Sequence, residues 1–104
     1  MAKATRAEPV FLSDMSLLEI ATLLTSERLS LRQPLREWLD HAFSIGVVER
    51  HPISPAVAAE IVTLPRHFHR DPGDRVIVAT ARVLGATLLT RDQAIIDAKV
   101  VKTL

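Results

Sequence analysis

Acidic residues stand at three helix starts in this sequence: Glu19 in Ser16-Leu17-Leu18-Glu19, Asp71 with Asp74 in Asp71-Pro72-Gly73-Asp74, and Asp92 in Thr90-Arg91-Asp92. Each has a modest explanation when taken alone. Ser-x-x-Glu is a capping box, in which Glu19 satisfies a backbone N–H. Asp71 at an N-cap, Pro72 at the first helical position and Asp74 within the first turn are what a helix start favours. The helix dipole alone stabilises each such carboxylate by about 0.3–1 kcal/mol. Asp92 reads equally well as a cap. Brought together, Glu19, Asp74 and Asp92 would repel one another unless a cation neutralised them. Oxygen-only ligands suit Mg²⁺ or Mn²⁺, which complete their shells with water and substrate phosphate. Such a site can generate hydroxide from bound water and hold an in-line phosphoryl displacement.

Other polar groups supply less. Arg66, Arg70, Arg75, Arg82 and Arg91 crowd the acid motifs. Arg75 and Arg91, next to Asp74 and Asp92, read as phosphate contacts, and Arg75 equally as a local partner of Asp71 or Asp74. Arg82 reads as a solvated helix face. His67-Phe68-His69 places its two imidazoles on alternate sides of an extended segment, so a loop packing Phe68 is the simpler reading. With no cysteine in the chain and no third histidine nearby, a zinc set is incomplete. No Gly-x-Ser-x-Gly elbow is present, and three glycines are too few for a phosphate-cradling loop.

The elements that must position these acids follow from apolar spacing and punctuation. Pro9 to Ser13 reads as a short buried strand, and a helix from Ser16 to about Thr25 follows. Pro34 opens a second helix whose Leu35, Trp38, Leu39, Ala42 and Phe43 share one face, ended by Gly46. That face is expected to be core. Val47 and Val48 begin a strand. Ser54-Pro55 starts a helix from Ala56 to Leu64, closed by Pro65. Asp71-Pro72 opens a longer helix to Leu84, stopped by Gly85. Ala86 to Thr90 is a compact apolar strand, Asp92 starts a further helical turn, and Val100-Val101 is a last strand. The alternation predicts an α/β chain with a mainly parallel sheet.

Composition bounds the rest. One domain is expected from 104 residues, with an aliphatic core, since Trp38 and three Phe are the only aromatics. A net charge of +1 advertises no polybasic tail. Absent cysteine fits a reducing cytoplasm. No apolar run resembles a signal peptide or approaches the ~20 residues of a membrane span.

Three motifs then carry a resemblance. Ser13-Asp14-Met15-Ser16-Leu17-Leu18-Glu19-Ile20-Ala21 resembles the Ser-x-x-Ser-x-x-Glu-Ile segment of VapC-type PIN domains, which bears the second acid of their site. The run from His69 to Ala81 resembles their Asp-Pro-x-Asp-Arg-x-Ile-x-Ala-x-Ala helix, whose second Asp, here Asp74, is the third acid. Leu88-Leu89-Thr90-Arg91-Asp92 resembles the strand ending in Thr-x-Asp that carries the fourth. The motifs occur in the family's order over residues 9 to 104.

The resemblance implies a three-layer α/β/α fold and Mg²⁺- or Mn²⁺-dependent endonucleolytic hydrolysis of RNA. In that reading Asp74 is a metal ligand and Glu19 a ligand or water-orienting group. Asp92 is a ligand near a second cation, Thr90 orients it, and Asp71 is the N-cap that positions Asp74. It further implies a homodimer and an antitoxin protein partner. The family opens with a strand ending in an aspartate, and no such strand is read here. The expectation is therefore a single PIN-like domain over residues 1–104, N-terminally incomplete and lacking the first βα unit. A truncated start, a natural remnant and a gap filled by another chain all stay open. The apolar edges left by a missing central strand predict an oligomer. The alternative function is a catalytically inactive remnant that dimerises or binds an antitoxin.

Overall fold

The computed structural model describes residues 7–68 and 71–104. The chain divides into two compact units, Met1–Pro52 and Ile53–Leu104. The described residues form five helices and a small parallel two-stranded sheet, an α/β arrangement.

In the first unit, β1 (Val10–Ser13) runs straight into α1 (Asp14–Thr25). After α2 (Leu35–Ser44), β2 (Val48–His51) returns parallel to β1, with Val10 opposite Val48 and Ser13 opposite His51. The helix starts earlier than its Ser-x-x-Glu pattern suggests. Ser13, in extended conformation, accepts from the Met15 N–H at 3.1 Å and so caps α1. Ser16 lies inside the helix, and the expected capping box does not form. Starting at Asp14 puts an acid in the first turn, where the dipole favours it, and leaves no unpaired loop between strand and helix. α2 ends as expected, at Gly46 with φ of +76°. Its Leu35, Leu39, Ala42 and Phe43 form a half-buried face. Trp38 is exposed, so the face is a surface against β2 rather than a core.

Among the described residues, the buried hydrophobic ones all fall in the second unit. There α3 (Pro55–Thr63) packs against α4 (Pro72–Leu84), and α5 (Gln93–Ala98) follows. Ser54 caps α3 by accepting from the Val57 N–H at 3.2 Å. The bounds of α4 are those its punctuation predicts. Asp71 Oδ1 accepts from the Gly73 N–H at 2.8 Å, and Pro72 fills the first position. Gly85, at φ of +63°, turns the chain out, and the Ala86 N–H reaches back to the Ala81 carbonyl at 2.9 Å. Val78 to Ala81 are all buried, which makes α4 the centre of its unit.

Of the two strands expected here, Ala86–Thr90 keeps one bridged residue, Leu88, and Val100-Val101 is not a strand, the partner being Thr103 instead. Leu88 makes a single parallel bridge with Thr103, its N–H donating to Lys102 and its carbonyl accepting from Leu104. Ala86–Thr90 and Val100-Val101 are apolar enough for strands, but a strand exists only by pairing, and here the pairing is one bridge long. The expected parallel pairing is present in the first unit as β1 with β2 and in the second as this bridge. No helix among the described residues is long and apolar enough to cross a membrane.

Removing the two γ-methyl groups of Val78, fully buried in α4, costs their burial and opens a cavity. Val78→Ala is expected to lower stability by about 2 kcal/mol in urea unfolding, whereas Leu18→Ala, at an exposed site, stays within about 0.5 kcal/mol.

Candidate metal centre

Asp92 is the most fully defined of the predicted site residues. Its Oδ1 accepts from the backbone N–H groups of Ala94 at 2.9 Å and Ile95 at 3.2 Å, capping α5. Its own N–H donates to Thr90 Oγ1 at 3.0 Å, so the threonine hydroxyl fixes the backbone that carries the acid. Ile95 is buried and holds α5 to its unit. Asp74 lies in the first turn of α4 and is half-buried, while Asp71, exposed, provides the cap. Glu19 is an exposed residue of α1. It belongs to the first unit, and Asp74 and Asp92 to the second.

Capping and ligation are compatible chemistries. An ionised carboxylate offers about four lone-pair sites, and two N–H bonds at Asp92 Oδ1 do not exhaust them. A set made of Glu19, Asp74 and Asp92 is all oxygen, which fits Mg²⁺ or Mn²⁺ on donor chemistry and not a thiolate-bound metal. Among the described residues, no three His, Asp or Glu side chains gather at metal-holding range.

The arginines divide. Arg75 is half-buried, and its Nη1 donates to the carbonyls of Phe68 at 2.5 Å and Pro65 at 3.4 Å. Arg82, expected to be solvated, instead pairs with Glu60 of α3 at 2.8 Å with both side chains mostly covered. The pair spans the α3–α4 interface, a tertiary partner that spacing along one helix cannot reveal. Arg91 is exposed beside Asp92. Arg70 and His69 lie outside the described residues. Phe68 is buried, as the simpler reading of His67-Phe68-His69 expects.

A second ion pair that the sequence does not signal lies in the first unit. Arg50 Nε sits 2.8 Å from Asp14 Oδ1, an ion pair between β2 and the first residue of α1. That oxygen is buried yet has no aligned hydrogen bond, so the contact is electrostatic. The parallel pairing of β1 and β2 brings these distant residues together, and no local spacing signals it. The same unit has an open groove of about 700 Å³ floored by Leu17, Leu39, Phe43 and Val48. A cavity of about 310 Å³ lies in the second unit between the turn carrying His67 and Phe68 and helix α5. Neither is lined by Glu19, Asp74 or Asp92.

The family model of the PIN domain matches residues 1–101. The chain belongs to the PIN-domain family. The match runs through all three motifs that carry the resemblance. This PIN domain is also 37% identical over 91 residues to Ribonuclease VapC22 of Mycobacterium tuberculosis, covering 84% of this chain. The chain spans 65% of that relative's length.

Replacing the cap separates its structural part from its charge. Asp92→Ala is expected to destabilise the protein by about 1 kcal/mol, while Asp92→Asn, an equally good cap, changes stability by only a few tenths, roughly. Thermal unfolding of the two variants checks this.

Proposed function

We propose that this PIN domain is a VapC-type endoribonuclease that hydrolyses RNA phosphodiesters with Mg²⁺ or Mn²⁺ held by Glu19, Asp74 and Asp92. The observation that carries the reading is the family match across residues 1–101, which contains all three acids. The similarity to a protein named a ribonuclease supports it. When bound, such a cation lowers the pKa of a coordinated water and offsets charge on a reacting phosphate.

The chain's own residues prepare that chemistry. Asp71 and Pro72 fix where α4 begins, and therefore where Asp74 projects. Thr90 and the cap bonds hold Asp92 at the start of α5. Asp74 and Asp92 serve as ligands, the latter beside a second cation, and Glu19 ligates or orients the attacking water. Arg91, exposed next to Asp92, contacts a substrate phosphate. The protein acts in the cytoplasm as a homodimer whose activity an antitoxin protein restrains.

Calorimetric titration of the purified chain with Mn²⁺ tests the reading. Saturable binding is expected, weakened about tenfold or more by Asp74→Asn, with cleavage of structured RNA falling in parallel. A cooperatively folded chain that binds no Mn²⁺ would overturn it in favour of a non-catalytic module that engages a protein partner.

A further inference from the structure

The first turn of a helix is its least restrained part, because its N–H groups have no partners within the helix. In α4 that turn is Pro72-Gly73-Asp74, and Gly73 adds backbone freedom beside the acid. Asp71 restrains it from one side through the Gly73 N–H. Arg75 restrains it from the other. Its N–H donates to the Asp71 carbonyl at 3.3 Å, while its guanidinium reaches back to the turn Pro65–Phe68. That turn is itself closed by a 3.0 Å bond from the Phe68 N–H to the Pro65 carbonyl, and the Phe68 ring is buried. The turn is therefore an anchored point, and Arg75 ties the start of α4 to it.

We propose that Arg75 is a positioning residue for Asp74: by clamping the Pro65 and Phe68 carbonyls it fixes the first turn of α4 and hence the direction of the adjacent carboxylate. The inference rests on the reading of Asp74 as a cation ligand. A guanidinium is charged at all working pH values, and charge-assisted bonds are roughly twice as strong as neutral ones, which suits it to a clamp. Nη1 is committed to backbone oxygens, so the role assigned to Arg75 differs from a phosphate contact. A phosphate contact would leave metal affinity unchanged when no RNA is present. A positioning residue would not.

The test uses the full chain without RNA, with Arg75→Met, Arg75→Lys and, as a control on the same helix, Arg82→Met. Mn²⁺ affinity is read by calorimetry and amide exchange at Phe68 and Gly73 by NMR. Arg75→Met is expected to weaken Mn²⁺ binding about 10- to 100-fold, the range for groups that orient metal ligands, and to speed exchange at both amides. Arg75→Lys, which keeps a charged donor, recovers part of both effects. If Arg75→Met fails to fold, Arg75→Lys carries the test, with a smaller loss of affinity and faster exchange expected. Arg82→Met breaks the Glu60 pair and lowers stability without moving Mn²⁺ affinity, which separates positioning from general support. Unchanged Mn²⁺ affinity in the folded Arg75 variants, or an equal loss in Arg82→Met, would overturn the positioning role while the cation reading stood. Absence of Mn²⁺ binding by the unmodified chain would overturn the cation reading and this inference with it.

Discussion

Packing of α4 against α3 is the constraint on which the second unit depends. Val76, Val78, Ala79 and Ala81 are buried on α4 and Val57 on α3, so the helices meet largely through small aliphatic side chains. Small residues permit close approach, and close packing makes each methyl group count. Glu60 and Arg82 pair across the same interface with little solvent around them. The helix so held has defined ends, and its first turn is where Asp74 sits. The placement of that acid thus depends on burial further along the helix.

The first unit is built differently. Its described residues include no buried hydrophobic side chain, and Val10, Phe11, Leu18 and Trp38 are exposed. What orders it is the parallel pairing of β1 with β2 and the half-buried faces of α1 and α2 laid against them. Asp14 and Arg50 add an ion pair at the end of β1. Glu19 is carried by a unit with a thin interior, whereas Asp74 and Asp92 are carried by one with a dense core.

Local rules make the helices of the second unit legible in the amino-acid sequence. Asp71-Pro72 and Gly85 punctuate α4, and Ser54-Pro55 opens α3, because caps and proline act within a few residues. Where a local pattern meets a neighbouring element, the neighbour decides. The Ser16-x-x-Glu19 pattern puts the helix start at Ser16, but the strand running directly into α1 makes Ser13 the cap. Apolar runs do not reveal whether strands will find partners. Leu88 pairs at one bridge only, and nothing in Ala86–Thr90 itself sets that extent. Partners far apart in sequence, Arg82 with Glu60 and Arg50 with Asp14, are invisible for the same reason. The family is legible because its three motifs occur in order, two of them carrying Asp71, Asp74 and Asp92 at helix starts and the third carrying Glu19 inside α1. Helix starts also explain those acids as caps, and at Asp92 the cap is formed. A residue can serve both ends, and the two roles are separable only by measuring them apart.

The proposed function requires Glu19, Asp74 and Asp92 to respond to the same cation. Backbone NMR with added Mn²⁺ addresses it most directly, since the paramagnetic ion broadens amides close to it. Signals around all three acids are expected to broaden together at the same low Mn²⁺ concentration, ahead of those around Asp40 and Glu49 in the first unit. Broadening confined to one acid, or spread evenly over the exposed carboxylates, would contradict a shared site.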